Sequence, residues 1–270
     1  MAITLPTQRI AATSQNPRFM VLFARPKTGK STFCASLDNN LILDLENGYE
    51  ALDAMKIVLT DNKTCIDDLK DVVKQLHAYK KQNGQNLYKY ITIDNATRLE
   101  ERINRYAIQL YRETNLGKNW GYLKDQYGQY ILDKNGERQD DPKADIKSLD
   151  MGGGYTYIKK AICDVISWFQ NYCETIILVC HTKDKNIQKA GSEMNEMSVD
   201  LLGKTGDVIC SMADAVGFMY RDSEGTHLSF EAGDNVIRGA RAEHLRNRDF
   251  VVITCDKDNK IVVDNSKIFI

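Results

Sequence analysis

Apolar residues in this chain fall into short continuous runs separated by stretches in which they recur every three or four positions. Residues 20–24 (MVLFA), 40–46 (NLILDLE), 90–94 (YITID) and 175–180 (TIILVC) are the runs, rich in Ile, Leu and Val as strands buried on both faces are. Between them, Leu69, Val72, Val73, Leu76 and the aliphatic stem of Lys80 form one face of an amphipathic helix over 65–81, which Asn83 and Gly84 end. Leu99, Ile103, Ala107 and Leu110 place a helix behind Asp94. Ile158, Ala161, Ile162, Val165, Ile166 and Phe169 place another after Gly152-Gly153-Gly154, glycines that read as a turn at a helix entry. Strand candidates then follow without helices at 215–220, 227–231, 251–256 and 261–264, with turns at Gly225, Gly233 and Asn259. Strands alternating with helices, then strands alone, predict an α/β fold: a mainly parallel central sheet flanked by helices, with antiparallel C-terminal strands.

Three stretches break this pattern. Residues 1–17 are polar and end at Pro17, so they read as an N-terminal arm ahead of one domain over 18–270. Residues 115–150 are polar and Gly-containing. Only YGQYIL (127–132) looks strand-like there, and Asn135-Gly136 is a turn dipeptide, so a small inserted hairpin is expected. Residues 186–200 read as a polar, Met-containing loop. No internal repeat is evident.

Chemistry enters at the first run. After it come a Pro- and Gly-containing turn and Gly29-Lys30-Ser31-Thr32, which opens a helical pattern. This is the order of the phosphate-binding pattern G-x-x-x-x-G-K-[ST]: backbone N–H groups surround phosphate oxygens, Lys30 neutralises them and Ser31 binds Mg²⁺. The candidate phosphate site is therefore Ala24, Arg25, Pro26, Lys27, Thr28, Gly29, Lys30, Ser31 and Thr32. Ala24 stands where the pattern has its first glycine, so an alanine is expected in a backbone conformation that glycine reaches more easily.

Three further groups lie just past strand ends, where ligands of such sheets collect. Asp94 ends its strand; alone it would be a turn or cap residue, but beside a phosphate loop it is a candidate magnesium carboxylate. Asp44 and Glu46, spaced i, i+2, are expected on the same side of one strand, with Glu46 the candidate base that activates water. His181 ends its strand as a candidate contact to the terminal phosphate. Arg238, Arg241, Arg246 and Arg248, with only Glu243 among them, could meet a phosphate backbone or act as an arginine finger in a neighbouring subunit, or form a solvated basic face. Lys183, Lys185 and Lys189 raise the same question beside the 186–200 loop.

Composition narrows the setting. A net charge of −1 and pI near 6.4 imply no overall attraction to nucleic acid or an anionic membrane. Seven cysteines without a C-x-x-C pair fit reduced thiols in a cytoplasm and no zinc site. No signal-peptide pattern or bilayer-length apolar run is seen, so no membrane partner is expected.

Taken in order, ARPKTGKST, LILDLENG, YITIDNA and TIILVCHTK resemble the RecA-like P-loop ATPases, most closely the compact phage-encoded ones grouped with single-strand annealing and recombination proteins. The resemblance covers about 18–248. It implies ATP and Mg²⁺ as ligands, Glu46 as catalytic base, Asp94 as the second acidic element and His181 as sensor of the terminal phosphate. It also implies single-stranded DNA met by the loop 186–200, a ring or filament of identical subunits, and a role in phage recombination, repair or replication. A nucleotide-dependent switch or assembly module that binds a protein partner, and a small-molecule phosphotransferase, are the competing readings.

Overall fold

The computed structural model describes residues 5, 7–12, 14–189, 192–233 and 235–270, excluding the side chains of 187–194. In chain order the elements are β1 (Phe19–Ala24), α1 (Lys30–Ala35), β2 (Asn40–Asp44), β3 (Met55–Val58), α2 (Cys65–Asn83), β4 (Tyr90–Asp94), α3 (Ala96–Arg102), α4 (Asn104–Arg112), α5 (Gly153–Gln170), β5 (Thr175–Lys189), β6 (Ser192–Val199), α6 (Thr205–Met212), β7 (Ala215–Arg221), β8 (Thr226–Ser229), β9 (Gly239–Ala240), β10 (Asp249–Cys255) and β11 (Ile261–Val263).

One sheet runs β3-β2-β4-β5-β1-β7-β8-β10-β11. Its strands are parallel from β3 to β7, and β8, β10 and β11 then pair antiparallel. This is the expected architecture. Alternation along β1 shows why its sequence is continuously apolar: Phe19, Val21 and Phe23 enter one core, and Met20, Leu22 and Ala24 enter the other. The first core is filled by Leu69 of α2, Leu99 of α3, Ala107 of α4 and Ile158, Ile162 and Phe169 of α5. The second is filled by Phe33 of α1 and by Leu228, Phe230 and Val252 of the antiparallel flank.

Several boundaries differ from the sequence reading. The helix behind Asp94 is two helices that meet at Ile103. β3, α6 and β9 were not anticipated; β3 is a four-residue edge strand with half-exposed residues, too short for a pattern. The stretch 186–200 is not a loop. β5 runs on past His181 to Lys189 and pairs antiparallel with β6, so a hairpin projects from the sheet.

In the insertion, Leu132 bridges Arg138 around the Asn135-Gly136 turn, as expected, and Lys124 bridges Tyr130 around a second turn of the same design. In each, an aspartate Oδ1 accepts from the N–H groups two and four residues on: Asp125 from Tyr127 and Gln129, Asp133 from Asn135 and Glu137. DQYG and DKNG thus form a local repeat that the sequence reading missed. At the entry to α5 a Cβ on Gly154 would sit 1.8 Å from the Ile146 carbonyl oxygen, so close backbone approach, beyond a turn alone, requires that glycine. Of the arm, Asn16 exchanges two hydrogen bonds with Ile270 (2.6 and 3.0 Å); residues 1–4, 6 and 13 lie outside the described residues. Among the described residues no helix is long and apolar enough to cross a membrane.

Candidate active site

The phosphate-loop pattern starts on β1, and Ala24 is its last residue, paired with His181 on β5 and Met219 on β7. Ala24 is therefore ordinary strand, contrary to the expectation of an unusual backbone there. Left-handed backbone falls instead on Lys27 (φ 65°) and Gly29 (φ 116°). A Cβ on Gly29 would also lie 2.8 Å from Ile253 Cδ1 on β10, the movable end of a side chain, so the positive φ is what calls for glycine there. The loop is braced internally by Thr28 Oγ1 donating to the Arg25 carbonyl (2.8 Å). From outside, the Thr226 hydroxyl on β8 donates to the Thr28 carbonyl (3.3 Å).

A cleft of about 390 Å³ opens beside the loop, at the carboxyl ends of the parallel strands. Pro26, Lys27, Gly29, Lys30, Ser31 and Thr32 form one wall, and Glu46, Gly48, Leu52, Asp94, His181 and Arg221 complete it. Ala24, Arg25 and Thr28 do not line the cleft. The carbonyls of Ala24 and Arg25 accept from the Lys30 ammonium at 3.1 and 3.0 Å. Burial lowers the Lys30 pKa, against the pull of Asp94 and other groups that favour its charge.

Asp94 is 6% exposed. Its Oδ2 accepts from the Tyr49 hydroxyl at 2.6 Å and from Ser31 Oγ at 3.4 Å. Burial raises its pKa, opposed by the Tyr49 hydrogen bond and reinforced by Glu46. Ser31 and Asp94 offer hard oxygen donors side by side, as Mg²⁺ requires. Among the described residues no cluster of three or more His, Cys, Asp or Glu could cage a metal. Two such oxygens, from Ser31 and Asp94, suit an ion that takes its remaining ligands from phosphates and water.

The predicted pairing of Asp44 and Glu46 on one strand fails, because β2 ends at Asp44. Asp44 is fully buried, and its Oδ1 accepts from the N–H groups of Glu46 and Gly48, both at 3.1 Å. It shapes the turn that carries Glu46 into the cleft. Glu46 Oε1 accepts from Arg98 Nε at 3.2 Å and lies 3.3 Å from His181 Nε2. The His181 hydrogen bond, opposed by partial burial and assisted by Asn95 and Arg98, holds the Glu46 carboxyl down at about 2.

His181 Nε2 is contested. Asn95 Nδ2 lies 2.9 Å from it, and the Asn95 amide is oriented by its Oδ1, which accepts from Arg98 N (2.9 Å) as the cap of α3. One nitrogen cannot accept from the amide and donate to Glu46 at once. The Nε2–H tautomer serves Glu46 and the Nδ1–H tautomer serves Asn95. Nδ1 itself is buried and meets no partner among the described residues.

The structure thus brings Lys30, Ser31, Glu46, Asp94 and His181 to one cleft. Sequence reasoning missed Tyr49, Asn95, Arg98 and Arg221. Asn95 carried a signal, an Asn ahead of a helical pattern; Tyr49 and Arg221 reach the site by way of a loop and a distant strand, which no local pattern reports. None of Arg238, Arg241, Arg246 and Arg248 lines the cleft. Arg241 pairs with Asp214 (3.0 Å) and donates to the Ser211 carbonyl (2.8 Å), at the start of β7 and away from its cleft-facing end. Lys183 donates to the Leu201 carbonyl and Lys185 to Asp207 (2.9 Å); the Lys189 side chain lies outside the described residues.

A family model described as an AAA domain matches residues 16–133 and 123–264, most of the chain. The chain belongs to this AAA-domain family. As an AAA-domain protein it carries a P-loop nucleotide-binding domain, built on a sheet in which β5 lies between the phosphate-loop strand β1 and the acidic strand β4. No curated protein sequence matches it. Among solved structures it is similar to a KaiC-like protein from the hyperthermophilic archaeon Pyrococcus horikoshii OT3. The TM-score is 0.43 and the identity 12%, over 91% of this chain and 89% of that one.

Proposed function

We propose that this AAA-domain protein is a magnesium-dependent ATP hydrolase. The observation that carries the reading is the convergence of a buried lysine, a serine–aspartate oxygen pair and a carboxylate with its histidine on one cleft of nucleotide size. Lys30 and the backbone of the loop hold the phosphates. Ser31 and Asp94 hold Mg²⁺, which supplies neutralisation of charge on the phosphate oxygens. Glu46 orients the attacking water and takes its proton, and His181 exchanges hydrogen-bond partners with the state of the terminal phosphate.

The hairpin that continues β5 directly from His181 supports the further proposal that turnover acts through it. From the sequence resemblance, its polymer is single-stranded DNA in phage recombination, repair or replication, and the working assembly is a ring or filament. ATP turnover measured with and without single-stranded DNA tests both levels. Turnover that survives Lys30→Ala and Glu46→Gln removes the site assignment; turnover indifferent to DNA, with no binding, removes only the polymer.

One observation favours the second reading, a nucleotide-dependent assembly module with slow or no hydrolysis. Glu46 Oε1 is already held by Arg98 Nε (3.2 Å) and faces His181 Nε2 (3.3 Å), partners that favour its charged form and so weaken it as a base. Single-turnover rates of the isolated chain separate the two.

A further inference from the structure

Helix α3 carries contacts to both the cleft and the hairpin. Asn95, its cap, touches His181, and Arg98 reaches Glu46 Oε1 (3.2 Å) while its other arm holds Glu101 (2.8 Å). One turn of the same helix fastens the return of the hairpin. Thr97 Oγ1 donates to the Asp200 carbonyl at 2.9 Å, and both oxygens of the Glu100 carboxylate accept from Leu202 N–H at 3.0 Å. Asp200 N–H in turn donates to the His181 carbonyl (2.9 Å), which closes the circuit. Glu100 is 5% exposed, and burial raises its pKa even against the Leu202 hydrogen bond. A buried carboxylate spent on one backbone N–H is costly unless its position matters.

We infer that α3 is the coupling element of this ATPase: Arg98 is a positioning residue that aims the Glu46 carboxylate into the cleft, and Glu100 with Thr97 ties that aim to the root of the β5–β6 hairpin. This rests on the reading of Glu46 as the base. The geometry explains the direction of coupling. Residues 97 and 100 are three apart and 98 and 101 likewise, so a displacement of the hairpin root at 200–202 moves a rigid helical turn that also bears Arg98. Arg98, whose other arm stays on Glu101, then shifts against Glu46, and the aim of the carboxylate shifts with it. The groups that face Glu46 are Arg98 and Asn95 from the start of α3, His181 from β5, Lys30 from the phosphate loop and Asp94 from β4; Glu101 acts on it through Arg98.

Steady-state kinetics and amide exchange on the full chain test this. In Arg98→Gln, kcat falls about tenfold with KM within about threefold, and the acid limb of the kcat–pH profile moves to higher pH. In wild type, Mg²⁺ and ATP change amide exchange at 200–202. In Glu100→Ala that response is lost while ATP affinity stays within about threefold, and Glu100→Gln, which keeps an acceptor, restores it. Where Glu100→Ala does not fold, Thr97→Val, which removes one hydroxyl contact, carries the same test. A pH profile in Arg98→Gln that superimposes on wild type, or exchange at 200–202 in the Glu100 and Thr97 variants that still responds to nucleotide, overturns the coupling. If Lys30→Ala and Glu46→Gln abolish turnover in the same assays, the hydrolase reading stands regardless; if they do not, that reading fails first.

Discussion

Two charged regions of this molecule look alike in composition and differ in what their charges face. Around the cleft, Lys30, Glu46, Asp94 and His181 converge on a shared space, where burial lowers the Lys30 pKa and raises that of Asp94 and where Glu46 meets His181 at 3.3 Å. In the segment 238–248, Arg241 bonds Asp214 and the carbonyls that end α6, Arg246 the Arg241 carbonyl and Arg238 the Glu231 carbonyl, while Arg248 is exposed. A count of arginines does not measure charge available to a ligand; the destination of each N–H group does.

The largest expected contrast is in turnover. Lys30→Ala removes the cation of the phosphate loop and should lower kcat/KM at least about a hundredfold. Glu46→Gln should lower kcat by about 10²–10⁴ with ATP binding retained, read by single-turnover hydrolysis and nucleotide titration. Arg241→Ala sharpens the comparison from the other side. It should cost about 1 kcal/mol of stability by chemical denaturation and leave ATP affinity unchanged. A drop in affinity would mean that the arginine segment serves the cleft after all.

A third region supplies a smaller, pH-dependent effect. His227 on β8 lies between Asp249 (Nδ1, 2.5 Å) and Asp222 (Nε2, 3.1 Å), and Tyr220 stacks on it. Burial disfavours the imidazolium, but the hydrogen bond and charge of Asp249, then Asp222, outweigh it, so its pKa is raised. Its stabilising contribution is therefore complete below the ordinary imidazole range of about 6.5 and is lost as pH rises through the raised folded value. Melting temperature followed from pH 5 to pH 9 should decline across that window in wild type and flatten in His227→Gln. Smallest of all, Ala24→Gly, which restores the usual glycine, should leave ATP affinity within about twofold, because position 24 is strand. A gain in affinity would show that the loop is strained there.

Much of this was legible before any coordinates. The four continuous apolar runs became β1, β2, β4 and the first part of β5, because strands buried on both faces need no alternation. Gly84 ended α2 in the left-handed conformation that its position suggested. Residues 186–200 misled because both arms of the hairpin are polar and show no apolar alternation: β6 reads as loop until β5 is alongside to take its hydrogen bonds. Ala24 misled because a motif match does not say which of its positions carries the positive φ.

The sequence by itself determined the four central strands, the mainly parallel sheet and the gathering of Lys30, Ser31, Glu46, Asp94 and His181 beyond the strand ends, since apolar periodicity and strand direction suffice for those. Only the tertiary structure decided that Asp44 builds a turn, that Tyr49 and Ser31 share one oxygen of Asp94, and that Arg98 and Glu100 join the cleft to the hairpin. Those are hydrogen bonds between residues up to about a hundred positions apart. Their partners are chosen by how the packed elements meet, a property no local stretch of chain contains.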